Sequence, residues 1–94
     1  MTKEDREFKK FVIEVTNKEI AQLRKVHRDC VNDCERRIRF LRARIKANSR
    51  NKVQVNEDKK RIAELQELKK GNKILIDGLI NKQKENLVKV RKIR

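Results

Sequence analysis

The 94-residue chain is long enough for one domain and carries 28 basic against 14 acidic residues, a net charge of +14. With 45% charged residues, 3% aromatics and no proline, tryptophan or tyrosine, it lacks the turn residues and aromatic strands of a compact β or α/β domain. The remaining Lys, Arg, Glu, Ile and Leu favour long helices, and so large a like-charge excess favours an anionic partner over a lone compact monomer.

The first predicted helix covers about residues 3–47. Thr2 is placed as its N-cap, with Glu4 and Asp5 in the first turn complementing the helix dipole. An apolar seam follows through Ile20, Leu23, His27, Cys30, Cys34, Ile38, Leu41 and Ile45, spaced 3, 4, 3, 4, 4, 3 and 4. At 100° per residue these eight positions fall within about 80°, a narrow stripe that one or two partner helices cover. Upstream, Phe8, Phe11, Val12, Ile13 and Val15 spread more widely around the helix and point to a further contact.

Residues 48–56 break this pattern. Asn48, Ser49 and Asn51 compete for backbone hydrogen bonds, and Asn56 followed by Glu57 and Asp58 resembles a new N-cap. The segment is expected to be a connection that reverses the chain. A second helix then runs over about 57–92, with Ile62, Leu65, Leu68, Leu75, Ile76, Leu79, Leu87, Val90 and Ile93 on a broader face interrupted by Asn72 and Gln83. Gly71 after Lys69-Lys70 matches a helix C-terminus. The alternative, which is favoured, is a continuous helix in which Gly71 and Gly78 admit a close neighbour.

The expected fold is all-α: one domain, 1–94, of two long antiparallel amphipathic helices. A lone hairpin leaves apolar surface open, so pairing into a homodimeric four-helix bundle or coiled coil is expected. Ile20, Leu23, Cys30, Cys34, Ile38, Leu41, Ile45, Leu65 and Leu79 are its predicted interface.

Charge distribution points to function. Residues 1–20 balance five bases against five acids, whereas 36–52 hold eight bases and no acid. One flank of the seam aligns Arg24, Arg28, Arg39, Arg42 and Lys46, with Glu35 intruding. The other flank groups Arg36, Arg37 and Arg44 around Phe40, with Asp29 and Asp33 behind them. With Arg50 and Lys52 from the connection, these ten bases are the candidate nucleic-acid-binding residues, because guanidinium groups grip phosphates bidentately. Three phenylalanines do not build a base-stacking platform. The expected mode is therefore phosphate-backbone contact with a duplex, RNA ahead of DNA, without base readout. The competing reading is a coiled-coil subunit of a larger ribosome-, cytoskeleton- or virion-associated assembly.

Other functions find less support. His27-x2-Cys30-x3-Cys34 supplies three ligand types on one face, short of the four of a structural zinc site, and packing is the preferred reading. An interchain disulfide is the second choice. His27 is the only histidine and Ser49 the only serine, so no Ser–His constellation can form within the chain. The chain is read as a non-enzyme without cofactor, metal or small-molecule substrate. Apolar runs reach only three residues, so no membrane span is expected. Five acids among the first twenty residues disfavour a mitochondrial presequence, and two cysteines do not make a secreted scaffold. The expected compartment is cytoplasm or nucleus, and a viral origin is compatible with the Lys- and Asn-rich composition.

Overall fold

The structure, a computed structural model, describes residues 2–92. It consists of α1, Lys3–Ala47, and α2, Lys52–Arg91, which form a helical hairpin. Among the described residues there is no strand, and no helix is long and apolar enough to cross a membrane. Ile93, placed on the second apolar face by the sequence, lies outside the described residues.

Thr2 starts α1 as expected. Its Oγ1 accepts from the Asp5 amide and its own amide donates to Asp5 Oδ2, both at 3.2 Å, so two orphan donors are satisfied reciprocally. The connection is shorter than expected. Only residues 48–51 leave the helices, and α2 begins at Lys52, five residues before the predicted start at 57. Asn51, not Asn56, caps it: the Gln54 amide donates to Asn51 Oδ1 at 3.2 Å. Asn56 is an exposed interior residue of α2.

The chain divides into two compact units. The turn unit, His27–Ile74, buries Cys34, Ile38 and Leu41 of α1 against Leu65 of α2, with Cys30 and Ile62 packed beside them. The terminal unit, Met1–Val26 with Leu75–Arg94, buries Ile20 against Ile76, Ile80 and Leu87, joined by Ile13 and Leu23. Thr16 is buried there without cost, because its hydroxyl donates to the Val12 carbonyl at 2.8 Å. The seam predicted as an interface between copies is thus largely covered by the chain's own second helix. Ile20, Cys34, Ile38, Leu41 and Leu65 are buried, Leu23, Cys30 and Ile45 are half-buried, and Leu79 is exposed.

α2 passes unbroken through Gly71, which settles the helix stop against the favoured continuity in favour of the latter. Neither glycine accommodates a close neighbour within the chain: a Cβ added at Gly71 or Gly78 meets nothing within 4 Å. Both residues therefore cost helix stability without a compensating contact in the hairpin. Gly71→Ala and Gly78→Ala are each expected to stabilise the fold by roughly 0.5–1 kcal/mol, measured by urea unfolding. A destabilised alanine variant would instead reveal a packed neighbour at that position.

Candidate nucleic-acid interface

The ten predicted basic residues do not form one site. In the turn unit they separate onto the two flanks of the seam, and the flanks differ in how their charge is compensated.

On the first flank, Arg28, Arg39, Arg42 and Lys46 are all exposed, and none joins an ion pair with a described residue. They extend along about 27 Å of α1 by helical rise. Glu35, the acid expected to intrude here, lies 3.9 Å from Lys69 Nζ on α2, while Arg39 and Arg42 keep their charge uncompensated. Those two arginines, Glu35 and Ile38 share a shallow groove of about 210 Å³ with Gln66 and Lys69 of α2. Gln66 and Lys69 were missed by sequence reasoning. Their wheel positions beside Leu65 were visible, but which flank of α1 they approach depends on the register of the hairpin.

The second flank is largely neutralised within the chain. Arg36 and Arg37 both reach Asp33, at 3.3 and 3.1 Å, and Arg61 of α2 reaches Glu64 at 3.1 Å. Arg44 is engaged most closely. Its Nε donates to Asp58 Oδ2 at 2.9 Å and a terminal nitrogen donates to Oδ1, a bidentate pair that Gln54 Nε2 supplements at 2.9 Å. Asp58 is 2% exposed, so this carboxylate is held inside the hairpin. Arg44 is accordingly corrected from a phosphate ligand to a structural partner, and Asp58 from a first-turn dipole acid to a buried one. The Arg44 guanidinium also lies 5.7 Å from the centroid of Phe40, whose exposed ring lines a groove of about 590 Å³ with Leu41 and Leu65.

The remaining candidates lie apart from these flanks. Arg50 is in the turn and Lys52 opens α2, both exposed, whereas Arg24 is exposed in the terminal unit.

The polar seam residues also find partners. His27 Nδ1 lies 2.7 Å from Asn72 Oδ1, so the histidine in one stripe meets the asparagine that interrupts the other. Cys30 and Cys34 are free thiols, and burial, reinforced by the neighbouring Cys30 and Asp33, pushes the Cys34 pKa up. A desolvated thiol of this kind behaves as a small apolar side chain. Among the described residues no three His, Cys, Asp or Glu side chains converge as a metal site requires.

The hydrogen bond from Arg44 holds the Asp58 carboxyl below its usual range; burial opposes this and the Gln54 bond assists it. A carboxylate whose folded pKa is depressed contributes stability above its unfolded pKa and loses it as pH falls toward the folded value. Arg44→Ala, which strands a buried carboxylate, should lower the urea midpoint more than Asp58→Asn does. The stability gap between wild type and Asp58→Asn should narrow as pH is lowered through the ordinary carboxylate range, and urea titrations at several pH values measure both effects.

The chain matches no protein-family model, no curated protein and no solved structure.

Proposed function

We propose that this protein is a non-enzymatic nucleic-acid-binding protein that grips the phosphate backbone of a duplex as a homodimer. Arg28, Arg39, Arg42 and Lys46 of α1 carry the contact, with Lys69 of α2 beside them. The observation behind this reading is the contrast between flanks: Arg36, Arg37, Arg44 and Arg61 turn to acids of the same chain, whereas Arg28, Arg39, Arg42 and Lys46 are exposed without an ion pair among the described residues. A cation row that merely kept the protein dissolved would have no reason to exclude acids from one side of a helix that places them on the other.

The chemistry of the row sets the binding mode. Guanidinium groups separated by single and multiple helical turns meet phosphates successively and present nothing that distinguishes one base from another. A helix face lying across a duplex reads shape and charge. That favours A-form RNA, whose recognition rests mostly on shape and on phosphate and 2′-hydroxyl contacts, ahead of DNA.

Backbone binding makes affinity steeply salt-dependent. Four phosphate contacts correspond to a slope of about −3 to −4 in log affinity against log salt, using the duplex-DNA value per contact. In an electrophoretic shift titration, Arg39→Glu/Arg42→Glu should weaken duplex binding by roughly 100-fold, with circular dichroism unchanged. Arg36→Glu/Arg37→Glu alters the total charge equally but should weaken it far less, because that flank already shares Asp33. Equal losses in the two variants, or full affinity in the first, would refute the assignment. Parallel titrations with RNA duplex, DNA duplex and single strands decide the substrate class.

A further inference from the structure

The residues expected to join two copies are mostly consumed within one hairpin, yet the terminal unit presents a different apolar face. On α1, Phe8, Phe11 and Val15 are 68%, 61% and 37% exposed, and on α2 Leu75 and Leu79 are 61% and 41% exposed. These belong to two stripes at helical spacing. Glu4, Phe8, Phe11, Val15, Glu19 and Gln22 follow one another by 4, 3, 4, 4 and 3 positions, and Leu75, Leu79, Lys82, Asn86 and Lys89 by 4, 3, 4 and 3. Glu19 and Gln22 border one groove of about 300 Å³ with Leu79 and Gln83, so the two stripes adjoin on the same side of the unit.

The charges on these stripes select the occupant. The α1 stripe holds acids and no base, while the α2 stripe holds bases and no acid. An anionic membrane or a polyphosphate would meet Glu4 and Glu19, and an acidic protein would meet the same obstacle. A second copy of the chain meets both edges with their complements, provided that its α2 lies over α1 and its α1 over α2. Laying α1 on its own counterpart would oppose Glu19 to acids. The face runs about 27 Å along the helices and is two helices, about 20 Å, wide, of the order that a stable interface occludes, about 800 Å² per partner.

We infer that the protein forms a two-fold dimer through this face, in which each α1 packs on the partner's α2 and Glu19 of one copy pairs with Lys82 of the other. The interface is independent of the phosphate-binding row and forms without nucleic acid. It also adds apolar burial to a hairpin whose described core has only eight buried apolar side chains. This names the surface for the self-association in the proposed function, and it can fail while nucleic-acid binding stands.

Sedimentation velocity of the full chain, without nucleic acid, tests it over 1–100 μM, about the range expected for a modest interface. The wild type should sediment at twice the 11.3 kDa chain mass. Phe8→Ser/Val15→Ser should raise the dimer dissociation constant at least about 10-fold while retaining helicity. Glu19→Lys and Lys82→Glu, both exposed, should each weaken the dimer several-fold, and combining them should restore it. A monomeric wild type, which would leave the face to a different partner, overturns the inference. So does a dimer indifferent to Phe8→Ser/Val15→Ser, and failure of the charge swap to rescue overturns the α1-on-α2 pairing. Duplex binding measured on the same variants shows separately whether the phosphate row survives.

Discussion

Two helices share only one face, and that geometric limit governs the rest of the molecule. Each helix can bury a single stripe against the other, so every remaining side chain must be solvated or find a partner outside the hairpin. A chain with 28 bases and 14 acids therefore cannot hide its excess charge. Cysteine, isoleucine and leucine fill the stripe, and the cations are displaced to its flanks. Arg44 is the exception, drawn to the edge of the seam because a buried Asp58 requires an opposite charge with bidentate geometry. The cationic flank is thus a consequence of the narrow seam, and its lack of local acids is the feature that still calls for a functional explanation.

Polar pairs give the turn unit its register. Apolar seam residues such as Ile38, Leu41, Ile62 and Leu65 are similar in size, and a shift of one helical turn would still bring aliphatic groups together. The same shift would leave Asp58 buried without Arg44 and separate His27 from Asn72. Burial of an uncompensated carboxylate is far more costly than a repacked leucine. In the terminal unit the buried residues are Ile20, Ile76, Ile80 and Leu87 with a self-satisfied Thr16, and Lys9 reaches across to the Arg91 carbonyl at 3.0 Å. Register there leans more on side-chain shape.

The seam was legible from spacing alone, because only a helix repeats apolar residues every three or four positions. Spacing says that some helix covers a stripe, not which one, and this is why residues such as Cys34 and Leu65 could be assigned to a second copy before the hairpin placed them in its own core. The connection was misjudged for a local reason. Asn51 and Asn56 have identical capping chemistry, and Val53 and Val55 have weak helix propensity, so the later asparagine looked like the start. That five-residue error concealed the Arg44–Asp58 pair. With the turn centred on residues 48–51, the two lie nearly opposite each other; with a longer connection, Asp58 is a first-turn acid. Lys69 and Gln66 were hidden likewise, since their proximity to Arg39 is a property of register.

Acids are the informative residues in so basic a protein. In the turn unit, Asp33, Glu64 and Asp58 are spent on Arg36, Arg37, Arg61 and Arg44, which leaves that flank close to balance. Glu35 turns to a lysine of α2, and Arg39 and Arg42 stay uncompensated. In the terminal unit, Glu4 and Glu19 instead line an apolar stripe that has no base. A surface for polyphosphate must keep acids away, whereas a surface for the same chain must carry both signs on separate edges. Indiscriminate positive charge would satisfy neither requirement. The two arrangements on one short chain are what separate phosphate binding from self-association in physical terms, because adding salt screens the first strongly and leaves the apolar part of the second intact.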